Sequence, residues 1–118
     1  MSHGPEWYIR RALIEFLSAH RLWVEVTHGS RFQTGLPDLF ITHATHGQRW
    51  IDVKNPGRYT FTPAQRHKWP LWEKHGAGIW ILTAANEPEY LKLFGPPNWR
   101  DYWKPEWDID VRAMIDAL

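Results

Sequence analysis

No cysteine occurs in this chain of 118 residues, which removes disulfides, thiolate zinc sites and thiol nucleophiles together. That composition fits a reducing compartment. No apolar run approaches the roughly 18 residues of a membrane span, and Met1 to Arg11 lacks the apolar core of a signal peptide. The expectation is a soluble, cytoplasmic protein with no membrane partner. A glycine-rich phosphate loop is also missing, which argues against an ATP-driven enzyme. An excess of charge of one sign is missing: the net charge is +1, so any basic surface that meets nucleic acid must be local.

What the chain does contain is enough apolar material for a core, 43% of its residues, and nine tryptophans. Tryptophan can anchor partners or stack on bases. Its ordinary role in a small domain is to fill the interior with large side chains. The length fits one domain over residues 1–118, with a core at about 6–83 and an aromatic-rich extension at 84–118.

Glu6 to about His20 reads as a helix, with Ile9, Leu13, Phe16 and Leu17 on one stripe and Pro5 suited to its first turn. Leu22 to Thr27 reads as a strand, Leu22, Val24 and Val26 alternating with Trp23, Glu25 and Thr27. His28 to Pro37 is a polar loop. Asp38 to Thr42 and Arg49 to Lys54 are strands joined by a turn at His43 to Gly47, and Asn55, Pro56 and Gly57 end the second. Thr62 caps a helix that starts at Pro63 and runs to about His75. Ile79 to Thr83 has the continuous apolar run of a buried strand. The order helix, three strands, helix, strand predicts an α/β fold, a mixed sheet flanked by helices. Beyond Ala85 the pattern suggests a short helix over Glu87 to Phe94, an irregular aromatic stretch from Trp99 to Trp107, and a last helix over Asp108 to Leu118.

One cluster of polar residues stands out against this apolar frame. Asp52 and Lys54 are two apart in a strand, so they share a face, while Ile51 and Val53 point the other way. On its own, Asp-x-Lys is equally a structural ion pair. Asp38 opens the preceding strand behind the turn Gly35-Leu36-Pro37, where it is equally a turn aspartate bonding its own backbone. The two together say more. Direct pairing of Asp38 with Asp52 puts Thr42 opposite Gln48 and leaves His43 to Gly47 as the turn, with Gly47 free to adopt positive φ. Opposed residues lie about 5 Å apart at Cβ. Carboxylates that close repel unless a proton or a cation lies between them. Oxygen ligands without cysteine point to a hard cation, Mg²⁺ or Mn²⁺, and a lysine beside it can hold a phosphate or help position a water. Glu6 shares the angular position of Leu13 and Leu17, which brings a carboxylate to the end of the same face; a first-turn acid favoured by the helix dipole has the same sequence signature. Gln65 lies on the face of the second helix that carries Trp69 and Trp72, and is either a reach toward the site or a half-exposed first-turn glutamine.

Glu6, Gly35-Leu36-Pro37-Asp38-Leu39-Phe40, Trp50-Ile51-Asp52-Val53-Lys54 and Gln65, in this order, resemble the PD-(D/E)xK nuclease superfamily. The likeness is closest to the VRR-NUC group and Holliday-junction-resolvase-like enzymes, and spans about Glu6 to Thr83. It implies a restriction-endonuclease-like fold with an α-β-β-β-α-β core. It implies that Asp38, Asp52 and the main-chain carbonyl of Val53 bind Mg²⁺, with Glu6 assisting at the metal or its water. Lys54 would orient the attacking water or stabilise the transition state, and in-line hydrolysis would leave a 5′-phosphate and a 3′-hydroxyl. The implied activity is a metal-dependent endodeoxyribonuclease acting on branched or flapped DNA, as a possible homodimer, by analogy in a bacterial or phage-infected cell. Where the VRR-NUC group usually carries glutamate this chain has Asp52, whose shorter arm changes the metal geometry. Two other functions share the fold: a catalytically silent DNA-binding or assembly module, and a nuclease that cuts RNA.

Other features have plainer readings. His43-x-x-His46 lacks a third zinc ligand and reads as exposed turn residues. Arg58, Arg66, His67, Lys68 and Lys74 form either a phosphate-contacting patch or a solvated helix face. Trp99, Tyr102, Trp103 and Trp107 either close over the core or present a surface for a distorted duplex or a second subunit.

Overall fold

A computed structural model describes residues 4–27 and 34–107. The helix α1, Pro5–Ala19, opens on the proline that fits a first turn and buries Leu13 and Leu17. Its end is a Schellman motif. Leu22 N–H donates to Leu17 C=O and Arg21 N–H to Ser18 C=O, both at 3.1 Å. Arg21 takes the left-handed conformation, φ 67°, at a position where glycine is the usual occupant. That turn sends the chain straight into β1, Trp23–Val26, and keeps Leu22 in the core beside Leu17.

β2 (Leu39–His43) and β3 (Gly47–Val53) form the expected antiparallel hairpin, with Thr42 opposite Gln48. One further pair forms, His43 with Gly47, so the loop is tighter than five residues. The cause is local: the Nδ1 atom of His43 accepts the backbone N–H groups of Thr45 and His46 at 3.1 and 3.2 Å, and Gly47 adopts φ +81°. The histidine pair is thus a turn device, its rings stacked 4.8 Å apart.

A crossover through α2, Pro63–Lys74, brings β4, Ile79–Leu82, parallel to β3. Sheet order is β1-β2-β3-β4. Alternation divides the interior into two layers. Leu39, Ile41, Ile51, Val53, Trp80 and Leu82 pack against Leu13 and Leu17 of α1. Ile79 and Ile81 pack on the other face with Phe61, Trp69, Trp99 and Trp107. β4 is therefore buried on both faces, as its continuous apolar run predicts.

The segment after β4 comprises a short helix, α3 (Glu87–Leu91), and two 3₁₀ turns, Lys92–Phe94 and Trp99–Tyr102. Its aromatics do the ordinary work of closing a core: edge-to-face contacts link Trp69 to Trp99, Trp99 to Trp103 and Trp103 to Trp107 at 5.0–5.8 Å between ring centroids. The side-chain amide of Asn98 accepts from Ile81 N–H at 2.6 Å and donates to Ile81 C=O at 3.0 Å. It stands in for a neighbouring strand on the free edge of β4. The helix expected over Asp108 to Leu118 and most of the polar loop from His28 lie outside the described residues. Among the described residues, no helix is long and apolar enough to cross a membrane.

Candidate active site

The site is built where β2, β3 and the first turn of α2 meet. Gly35 takes φ +83°, and a Cβ there would lie 3.0 Å from the carbonyl oxygen of Ala64. Only glycine fits so close an approach at that φ. Trp69 Nε1–H donates to Gly35 C=O and Lys68 Nζ to Thr34 C=O, each at 2.7 Å, which ties the turn to α2. From the other side, Thr27 N–H donates to Asp38 C=O at 2.9 Å, and the Thr27 hydroxyl donates to Pro37 C=O. Asp38 is thereby fixed by its backbone before its carboxylate makes any contact.

Leu39 pairs with Ile51, and one further step of that register brings Asp38 level with Asp52. The Asp38 carboxylate accepts Val53 N–H at Oδ2, 2.9 Å, while Oδ1 faces Arg10 Nη1 across 3.8 Å. Asp52 and Lys54 point away from the Ile51 and Val53 layer, and are 1% and 4% exposed. Lys54 Nζ lies 2.8 Å from Asp52 Oδ2 and donates to Gln65 Oε1 at 3.0 Å. Gln65 Nε2 donates to Asp52 Oδ1 at 3.3 Å, which closes a three-residue ring. Gln65 also completes a capping box: its Oε1 accepts Thr62 N–H while its own N–H donates to Thr62 Oγ1, both at 3.1 Å. The same residue starts α2 and holds the acid–base pair. Lys54 further lies over the ring of Phe61, 4.7 Å from its centroid, and 5.8 Å from that of Trp69.

Electrostatically the ring is loaded with negative charge. The Asp52 carboxyl is pushed up to about 7, by burial first and by the Asp38 charge next, with Glu6 adding and Lys54 opposing. At Oδ2 the Lys54 ammonium, 2.8 Å away, opposes this rise without cancelling it. Two carboxylates brought together with one ammonium beside Asp52 carry an excess of negative charge that a hard cation would relieve. Asp38 and Asp52 could hold a hard cation such as Mg²⁺, which commonly takes one or two carboxylates and keeps several waters. Glu6 lies at the same end of the sheet, but its Oε1 is engaged with Asn55 N–H at 3.2 Å. Among the described residues, no three His, Cys, Asp or Glu side chains converge as a metal cluster.

The structure thus brings Asp38, Asp52, Lys54 and Gln65 together, with Glu6 at the margin. Sequence reasoning missed Arg10. The signal was available: Arg10 is one helical turn beyond Glu6, so a reading that carries Glu6 to the site carries Arg10 too. Of the basic patch on α2, Lys68 is spent on Thr34 and Arg66 lies over Trp107, 5.6 Å from the ring centroid.

A mixed sheet with an antiparallel hairpin, a parallel crossover strand and helices on both faces is the restriction-endonuclease-like arrangement. Within that class, a solved structure described as a VRR-NUC domain superposes with a TM-score of 0.58 and 18% identity, covering 70% of this chain and 88% of that one. The chain has the fold of a VRR-NUC domain, as the resemblance of its motifs implies. No family model and no curated protein matches the sequence.

Proposed function

We propose that this protein is a magnesium-dependent endonuclease that hydrolyses phosphodiester bonds in DNA, with branched or flapped structures as its substrates. The observation that carries the reading is the enclosed ring of Asp52, Lys54 and Gln65 beside Asp38, at the end of a hairpin in a VRR-NUC-type fold. A purely structural ion pair gains nothing from a second carboxylate placed close enough to raise its acid. Asp38, Asp52 and the Val53 carbonyl would hold the metal, with Mn²⁺ able to substitute and Glu6 assisting from α1. The ion supplies charge stabilisation and a more acidic water.

The chain's own groups do the positioning. Lys54 offers its ammonium to the attacking water and to the charge that grows on the phosphoryl oxygens. Gln65 sets the direction of that ammonium, and the Phe61 and Trp69 rings exclude water around it. Water attacks phosphorus in line, the bond to the 3′-oxygen breaks, and the products carry a 5′-phosphate and a 3′-hydroxyl. Residues 1–118 act as one nuclease domain on this reading. Incubating the protein with a panel of duplex, flapped and four-way DNA and matched RNA, with and without Mg²⁺, tests it. Cleavage of branched DNA only with the metal is expected. RNA cleavage alone would replace the substrate, and no cleavage of any member would leave the fold without this activity.

A further inference from the structure

Arg10 is, among the described residues, a charged side chain at the mouth of this site whose donors are unspent. It projects from α1 toward Asp38 with only 17% of its side chain exposed. Yet 3.8 Å to Asp38 Oδ1 is beyond hydrogen-bond reach, and Arg10 makes no hydrogen bond among the described residues. A guanidinium carries five N–H donors in a planar fork matched to carboxylate and phosphate. Its nitrogens reach solvent at the mouth, none of them being buried without a partner, so the fork is open to a ligand that arrives there. Its neighbours narrow the ligand's chemistry. Lys54 is already held by Asp52 and Gln65, and Lys68 by Thr34. Asp38 is anchored at Oδ2 by Val53 N–H, which leaves Oδ1 toward Arg10.

We propose that Arg10 is a phosphate-binding residue that neutralises Asp38 in the free protein and turns its fork to a backbone phosphate of the nucleic-acid strand when a divalent cation takes Asp38. The inference rests on the nuclease reading and adds a residue to its substrate contacts. A cation at Asp38 repels the guanidinium and removes its partner, and the phosphate next to the site offers the bidentate acceptor that Asp38 Oδ1 does not. Arg10 therefore opposes metal binding in the absence of substrate and supports strand binding in its presence. A structural ion pair does neither.

The test uses the full chain, Arg10→Gln and Arg10→Lys, with a labelled four-way DNA junction and Ca²⁺ in place of Mg²⁺ to spare the strand. Affinity is measured across a salt series. Arg10→Gln is expected to bind about tenfold more weakly and to lower the slope of log K against log salt by about one. Arg10→Lys is expected to restore the slope, because it keeps the charge, but not all of the affinity. In a second measurement without DNA, Mg²⁺ titrated against tryptophan fluorescence should bind Arg10→Gln at least as tightly as the unaltered chain. An unchanged slope and affinity in Arg10→Gln, or weaker Mg²⁺ binding, overturns the role. An unaltered chain that binds no junction overturns the nuclease reading as well; loss of the Arg10 effect alone leaves that reading standing.

Discussion

Replacing Asp52 with asparagine should make the protein more stable at high pH while removing its activity. Holding the Asp52 carboxyl at about 7 instead of 3.8 costs the folded state about 4 kcal/mol once the group must ionise. The folded chain keeps this proton more tightly than the unfolded chain. Stability is therefore full below the unfolded value, falls as pH rises from about 4 to about 7, and is level above that. The asparagine side chain carries no charge at any pH and keeps the acceptor for Gln65 Nε2. It loses the ion pair with Lys54, whose ammonium retains Gln65 Oε1 and the two rings. The Lys54 attraction is already netted in the value of about 7, so the gain is halved only for the relaxation and water entry that ease a buried charge. Asp52→Asn is then expected to add about 2 kcal/mol above about pH 8, a rise in Tm of roughly 8 °C for a domain of this size. Below about pH 4 the two proteins should melt together, because both side chains are then neutral. Thermal melts across this range without divalent cations read the effect directly. Added Mg²⁺ should stabilise the unaltered chain and not the variant. A variant no more stable than the unaltered chain at about pH 8, or a gain independent of pH, would show that Asp52 is not strained by its surroundings.

Three further substitutions probe the parts that hold this group. Lys54→Ala should lower kcat by about a hundredfold or more with KM near the unaltered value and Mg²⁺ bound at least as tightly, since lysine is no metal ligand and its charge beside Asp52 opposes a cation there. Gly35→Ala combines φ +83° with a Cβ at 3.0 Å from Ala64 C=O, and should cost about 2–3 kcal/mol in urea unfolding through strain at the turn that presents Asp38. Asn98→Ala strips the partners from the N–H and C=O of Ile81, and should cost about 2 kcal/mol on the same assay with the metal titration unchanged.

The parts legible in the sequence are those encoded by local chemistry. The stripe of Leu13 and Leu17, the Thr62-Pro63 start of α2 and the unbroken run of β4 each follow from spacing within a few residues. The hairpin register follows from the same logic, because two strands joined by a short turn have few ways to pair. From the register comes the approach of Asp38 to Asp52. Gln65 was legible as a position on a helix face. Its double use, capping α2 and bridging Asp52 to Lys54, depends on a strand 11 residues away from it in sequence and is a tertiary fact. Arg10 was hidden behind attention to the apolar stripe. Asn98 was hidden because an asparagine after two prolines reads as a turn, and nothing nearby marks it as a substitute for a strand edge 17 residues earlier. The tryptophans reached the interior in part only: Trp69 and Trp99 are fully enclosed, while Trp23 stays 68% exposed on the edge strand. Composition says how much aromatic surface there is, and topology decides which of it is covered.

The central claim is that Asp52 belongs to a metal-dependent active site and is not a structural ion pair. Cleavage of a labelled branched DNA by the unaltered chain and by Asp52→Asn, side by side with Mg²⁺ and at a temperature where both are folded, tests it most directly. The account predicts cutting by the unaltered chain that stops when the metal is chelated, and none by the variant. Equal cutting by folded Asp52→Asn would contradict it.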